Sequence, residues 1–261
     1  MLNIDLSGRR ALVTGGNSGI GAAIVDALAA AGADVAINFV SHPDAAEAGA
    51  GRVRAAGRRA LTLAADVSDA AAVAAMFGRI DTEWGGLDIL VNNAGIDGLP
   101  MPAAEADVEG WRKVLEVNLF GSFYCAREAL RRMLPQRRGV VLNLSSVHET
   151  IPWSGYSAYT ASKAGLAMLT RTLAQEAAPA NVRVLAIAPG AIKTPINQSV
   201  WGDSAGLADL DRKIPMGRMG DPGEIARMAV VLVSDVASYT TGTTVFVDGG
   251  MCDYADFSHG G

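Results

Sequence analysis

Cysteine, histidine and long apolar runs are all scarce in this chain, and each scarcity closes off a class of function. The two cysteines, Cys125 and Cys252, lie far apart with no C-x-x-C companion. A disulfide framework is thereby excluded, and structural thiols in a reducing compartment are the expectation. The three histidines, His42, His148 and His259, form neither H-E-x-x-H nor another metal-ligand spacing, so no metal is expected. No uncharged apolar run approaches the ~18 residues needed to span a bilayer. The first sixteen residues lack a basic segment leading into a long apolar stretch. The expectation is a soluble cytoplasmic protein with no membrane partner. Strongly basic runs are missing as well, and the net charge is -5. The densest cluster, Arg131, Arg132, Arg137 and Arg138, flanks a helix end and a strand start. It reads as a solvated terminus, with no nucleic-acid partner implied.

What is plentiful sets the fold class. Half the residues are hydrophobic and 19% are charged, which excludes disorder. The 30 glycines are scattered through 261 residues, which excludes collagen-like and low-complexity readings. That length suits one domain, 1–261, with a large core. Short apolar runs predict strands at Ala11–Thr14, Val35–Phe39, Ala60–Ala64, Ile89–Asn92, Val140–Leu144, Val182–Ala188 and Thr244–Val247. They are continuous rather than alternating, as parallel strands covered on both faces require. Alanine-rich helical patterns lie between them at 20–31, 44–56, 69–84, 111–134, 157–178 and 222–234. The alternation predicts an α/β, doubly wound Rossmann-type domain around a seven-stranded parallel sheet. The stretch 190–215 has no clear element and reads as a substrate loop.

The first strand runs into Thr14-Gly15-Gly16-Asn17-Ser18-Gly19-Ile20-Gly21 and then a helix. A strand, a glycine-rich turn and a helix N-terminus form an anion site, because outward N–H groups and the helix dipole favour negative charge. Glycines admit a pyrophosphate close to the backbone. Further along, Tyr159 and Lys163 stand four apart, on one helix face one turn apart. A free tyrosine titrates near ~10, and a neighbouring ammonium is expected to lower it and make it a usable general base or acid. Ser146, thirteen residues before Tyr159, is positioned to hydrogen-bond a substrate oxygen whose charge changes. Ser145 points to the opposite face in extended geometry and reads as structural. A serine hydrolase is disfavoured, since no G-x-S-x-G elbow exists and His148 lies only two residues from Ser146. A non-enzymatic nucleotide sensor is disfavoured by the presence of both Tyr159 and Lys163.

The G-x-x-x-G-x-G turn, Asn92-Asn93-Ala94-Gly95, Asn118, Ser146, Tyr159-Thr160-Ala161-Ser162-Lys163 and Pro189-Gly190 occur in this order. The chain resembles the short-chain dehydrogenase/reductase family over its whole length. The resemblance implies Asn118, Ser146, Tyr159 and Lys163 as catalytic residues, with Asn118 helping to hold Lys163 and a proton-relay water. It implies a cofactor site of Gly15, Asn17, Ser18, Gly19, Ile20 and Gly21 at the turn, with Asp66 and Val67 at the adenine. Asn93, Ala94 and Gly95 would line the ribose and nicotinamide side. Tyr159 and Lys163 would reach the nicotinamide ribose, and Pro189, Gly190, Ile192 and Thr194 would hold the carboxamide.

Within that family, Ser145-Ser146-Val147-His148-Glu149, Ile151-Pro152-Trp153, Thr194-Pro195-Ile196-Asn197 and Asp248-Gly249-Gly250-Met251 are similar to the bacterial glucose 1-dehydrogenases. The resemblance implies oxidation of an aldose at C1 to the lactone, with His148, Asn197 and Asp97 beside Ser146 as substrate residues and Glu149 as a weaker candidate. A 3-oxoacyl-carrier-protein reductase is the alternative, with Arg127, Arg131 and Arg132 as docking residues. Asn38-Phe39-Val40-Ser41 lacks the arginine of the glucose enzymes, which removes a partner for a 2′-phosphate. No acid replaces it, so NAD or NADP is expected with a weak preference for NAD. The resemblance also implies a homotetramer. The last strand and a tail with Met251, Tyr254 and Phe257 would suit its interfaces.

Overall fold

The computed structural model describes residues 4–195 and 204–253. Seven strands form one sheet: β1 (Arg10–Val13), β2 (Asp34–Phe39), β3 (Ala60–Ala64), β4 (Ile89–Asn92), β5 (Gly139–Leu144), β6 (Val182–Pro189) and β7 (Thr244–Val247). Their order is β3-β2-β1-β4-β5-β6-β7, and every pair is parallel. The predicted α/β class and strand count hold. β1 begins and ends one residue earlier than the apolar run implied, with Arg10 opposite Asp34. Thr14 still donates its N–H to Val91, so the difference is a boundary matter.

The helices are α1 (Gly19–Ala30), α2 (Pro43–Ala55), α3 (Ala70–Trp84), α4 (Val108–Leu115), α5 (Ser122–Gln136), α6 (Ser157–Ala177), α7 (Ser204–Asp211) and α8 (Pro222–Val233). Apolar side chains of alternate strand positions divide into two cores. Ala11 and Val13 of β1 pack with Ile24, Val25 and Leu28 of α1 and Ile225 and Ala229 of α8. Leu12 faces the other way, with Phe77 and Ile80 of α3, Met133 of α5 and Leu173 of α6. Both faces of the sheet are therefore dry, as a parallel sheet requires. Local signals place the helix ends. Asp69 caps α3 by accepting from the N–H groups of Ala71 and Ala72, and Pro222 opens α8 behind Asp221.

Two expectations change. The single helix expected over 111–134 begins at Val108 and is interrupted by a π-helical turn, Glu116–Gly121, between α4 and α5. The stretch 190–215 is not wholly irregular, since α7 lies within it and Lys193 donates to the Gly220 carbonyl across a bridge. Arg131, Arg137 and Arg138 of the arginine cluster are exposed, as a solvated terminus should be, while Arg132 is partly buried. Arg132 lies between Asp81 and Glu128 at 2.6 and 2.9 Å. Arg138 pairs with the buried Asp88, and Arg137 donates to the Pro179 carbonyl. Among the described residues, no helix is long and apolar enough to cross a membrane.

Strand order reverses between β1 and β4: from β1 the sheet grows one way through β2 and β3, and from β4 the other way. A crevice must open beyond the carboxyl ends of β1 and β4. The side chains ending those strands decide what can sit there.

Candidate active site

The crevice is a cleft of about 1980 Å³. At one end the β1 turn is tied by Asn93, expected at the cofactor, and by Thr14 and Asn38, for which no role was expected. The Thr14 hydroxyl accepts from the N–H groups of Asn93 and Ala94 at 2.9 and 3.0 Å. The Asn93 amide returns hydrogen bonds to the Thr14 and Gly15 carbonyls at 2.9 and 3.1 Å. Asn38, buried at the end of β2, donates to the Leu63 and Ala65 carbonyls and accepts from Gly15. A polar residue in an otherwise apolar strand was the available signal. Such a group needs buried partners, and here they lie at the ends of β1 and β3.

Glycine is required at Gly21, where a Cβ would lie 2.3 Å from the Gly15 carbonyl oxygen and 2.5 Å from the Asn93 amide nitrogen. Gly15 and Gly19 have φ of +59° and +52°, a region that favours glycine. Helix α1 has no side-chain cap at Ser18 and no acid in its first turn. Its first N–H groups are thus left for an anion at the cleft. Gly15, Asn17, Ser18, Gly19, Ile20, Gly21, Asp66, Val67, Asn93, Ala94, Gly95, Pro189, Gly190, Ile192 and Thr194, all expected at a dinucleotide, line this cleft. The turn fits a pyrophosphate on these grounds. Lys113 also lines the cleft and lies 3.3 Å from Asp66. Beyond β2, Val40 is 68% exposed, and Asn17 donates to the Ser41 carbonyl at 2.8 Å.

The other end of the cleft holds the reactive groups. Tyr159 and Lys163 project from α6, and the Lys163 ammonium lies 5.5 Å from the Tyr159 ring centroid. Lys163 is 5% exposed and donates to the Leu144 carbonyl at the end of β5 at 2.8 Å. Burial pushes its pKa down to about 8, against the pull of Asp97 and Glu149. Tyr159 moves oppositely. Burial pushes its phenol up to about 12, opposed by a hydrogen bond with Ser146 and reinforced by Asp97. The expected lowering of Tyr159 is therefore reversed. Desolvation of the phenolate outweighs the Ser146 hydrogen bond, and the phenol stays protonated at neutral pH. Ser146 is 6% exposed, and its hydroxyl accepts from the His148 N–H at 3.2 Å.

Asn118 is 1% exposed and does not line the cleft. It sits in the π-helical turn, and its side chain fastens the strand-to-loop junction after β4. It accepts from the Ile96 N–H and donates to the Ile96 carbonyl, both at 2.9 Å. It also donates to the Ser162 hydroxyl at 3.1 Å, which in turn donates to the Tyr159 carbonyl. Among the described residues its amide makes no hydrogen bond to Lys163. It braces the helix that carries Tyr159. The π-turn follows from neither composition nor spacing, since Glu116-Val117-Asn118-Leu119-Phe120-Gly121 continues the helical pattern on both sides.

Of the expected substrate residues, Asp97 and His148 line the cleft beside Tyr159, while Asn197 lies outside the described residues, as do Tyr254 and Phe257. Burial raises the Asp97 carboxyl above its ordinary value, opposed by Lys163 and His148. His148 stacks on Trp153 with centroids 4.5 Å apart, and Trp153 stacks on Tyr156 at 3.8 Å. This row of rings was not legible locally, because its members come from a short 3-10 turn, a loop and a helix start. Glu149 turns away, accepting from Thr244 at 3.4 Å. Cys125 and Cys252 are free, and Cys252 lines the cleft. No cluster of metal-binding side chains occurs among the described residues.

Comparison with known proteins agrees with this geometry. A family model described as enoyl-(acyl carrier protein) reductase matches residues 15–252. The chain is 45% identical to 3beta-hydroxysteroid dehydrogenase 1 of Eggerthella lenta over 257 residues, 98% of each chain. It is 40% identical to glucose 1-dehydrogenase 2 of Bacillus subtilis over 251 residues, 96% of this chain and 97% of the relative. A crystal structure of gluconate 5-dehydrogenase from Burkholderia cenocepacia in complex with NADP and tartrate superposes with a TM-score of 0.92. It is 33% identical, covering 97% of this chain and 98% of that one.

Proposed function

The chain belongs to the short-chain dehydrogenase/reductase family of oxidoreductases, and on that premise we propose that it transfers a hydride between NAD(P) and the carbinol carbon of a ring-borne secondary alcohol, an aldose at C1 being the favoured instance. The observation that carries this reading is the convergence of Ser146, Tyr159 and Lys163 on one cleft with the glycine turn. In it, Ser146 and Tyr159 hydrogen-bond the substrate oxygen; the protonated Tyr159 phenol gives its proton to a carbonyl oxygen in reduction, and in oxidation its phenolate, formed once that proton has passed to water, takes the hydroxyl proton. Lys163, anchored on Leu144, favours the phenolate as that proton leaves. The nicotinamide, when bound, supplies the hydride acceptor and, in its oxidised form, a positive charge. Gly15 to Gly21, Asp66, Val67, Asn93 to Gly95, Pro189, Gly190, Ile192 and Thr194 would hold it.

Ring-borne alcohols are supported by two relatives named for a hydroxysteroid and for glucose. The aldose instance is supported by the polar groups of His148 and Asp97 beside Tyr159. The carrier-protein reductase alternative is less well supported. Arg127, Arg131 and Arg132, its docking candidates, all pair with Glu128. Neither an acid nor an arginine follows β2, which supports use of NAD with NADP close behind, although a relative's structure holds NADP. Two free thiols suit a reducing cytoplasm. A homotetramer is supported by exposed Phe120 in the π-turn, Phe123 at the start of α5 and Phe246 on β7, and gel filtration of a monomer would remove it.

The test is a panel of aldoses, cyclic alcohols and 3-oxoacyl thioesters with each cofactor, followed by reduced-nicotinamide absorbance. Aldoses or cyclic alcohols should turn over best. A preference for the thioesters would overturn the reading.

A further inference from the structure

We infer that His148 is a fixed hydrogen-bond acceptor for a second hydroxyl of the substrate, and that Trp153 serves to clamp it in that role. The inference rests on the ring-alcohol reading and narrows it to substrates with a hydroxyl near the reacting carbon.

The tautomer follows from one contact. His148 Nδ1 lies 3.0 Å from the Ile151 carbonyl oxygen. A carbonyl only accepts, so Nδ1 carries the proton and Nε2 of the neutral ring is a bare lone pair. Burial lowers the His148 pKa, against the Ile151 carbonyl and Asp97, so the ring is neutral at pH 7. Nε2 has no hydrogen-bond partner among the described residues, and the ring lines the cleft beside Tyr159, with centroids 6.2 Å apart. The other titratable groups around it are Asp97 after β4, Tyr156 before α6, Tyr159 and Lys163 on α6, and Glu149. Lys163 is spent on Leu144, and Glu149 is turned to Thr244.

Trp153 looks at first like a platform for a sugar ring, but two protein rings already stack on it. His148 does so at 4.5 Å and 14°, and Tyr156 at 3.8 Å and 23°. Only its edge meets Tyr159, at 83°. The stack therefore fixes the imidazole plane. A bare acceptor at that position welcomes a hydroxyl donor and opposes a carbonyl, which brings lone pairs against a lone pair. A polyol or diol satisfies it, whereas a 3-oxoacyl thioester presents a thioester carbonyl near its reacting carbon.

Two measurements separate this inference from the functional reading. Nitrogen-15 NMR of the three imidazoles, with His148→Gln to assign the signal, should show His148 protonated at Nδ1 and bare at Nε2, titrating below the ordinary 6.5. In Trp153→Ala the titration should move back toward that value and the tautomers should mix. Trp153→Phe, which keeps a ring, should shift less. A proton on Nε2 in the wild type, or no change in either variant, overturns the inference. In kinetics, the wild type should favour cyclohexane-1,2-diol over cyclohexanol in kcat/KM by about tenfold, one hydrogen bond's worth, and His148→Leu should erase that ratio. A ratio near one in the wild type, or one preserved in His148→Leu, overturns it. If neither alcohol reacts, the ring-alcohol reading fails, and the tautomer still decides His148.

Discussion

Replacing Gly21 by alanine probes the cofactor turn at the point where the structure leaves no room. The added Cβ would sit 2.3 Å from the Gly15 carbonyl oxygen and 2.5 Å from the Asn93 amide nitrogen. Ordinary contact begins beyond 3.4 Å, so the start of α1 must withdraw by about an ångström. Overpacking of this kind costs about 1–3 kcal/mol. For a domain of this size, the melting temperature should then fall by roughly 2–12 °C. The withdrawn N–H groups are those that face a pyrophosphate. Losing one charge-assisted hydrogen bond, about 1.5–3 kcal/mol, should weaken reduced-cofactor binding by roughly ten- to a hundredfold. Thermal melting and a fluorescence titration with NADH read the two effects separately. Gly51→Ala is the control. It lies exposed in α2 with open space around its Cβ position, and should stabilise the fold by several tenths of a kcal/mol. If Gly21→Ala binds NADH as tightly as the wild type and melts with it, the turn does not cradle the cofactor.

Lys163 predicts a pH dependence. Its pKa is lowered to about 8 from 10.5 on folding, so between those values the unfolded chain binds more protons, and stability rises with pH. Below pH 8 the full cost of burying the cation remains. In Lys163→Met that rise should vanish, and a melting series from pH 7 to 10 checks it; parallel curves for both proteins would refute the assignment. Val40→Arg places a guanidinium at the exposed end of β2, in the cleft. The ratio of kcat/KM for NADP over NAD should rise by roughly ten- to a hundredfold, one charged hydrogen bond, and an unchanged ratio would move the 2′-site elsewhere.

Much of the frame was readable in advance because its causes are local. Short, mainly apolar runs such as Val182–Ala188 suit covered strands, and their parallel order follows from the helices between them. The cofactor turn was legible because glycine there serves backbone geometry, a constraint visible residue by residue. What escaped depends on distant partners. Thr14 and Asn38 are ordinary polar residues until β4 and β3 bring them the groups they bind. The π-turn carries Asn118, which exchanges hydrogen bonds with Ile96, 22 residues away. The reversal of Tyr159's expected shift is of the same kind, since spacing reveals the neighbouring ammonium but not the depth of burial.

The most direct test of the account is the rate of reduced-nicotinamide formation by Tyr159→Phe on the best substrate of the panel, with NADH affinity measured alongside. The account predicts a fall in kcat of roughly 10²–10⁴-fold, the contribution of a positioned proton-transfer group, with a far smaller change in NADH affinity. A variant that keeps near wild-type turnover would contradict it.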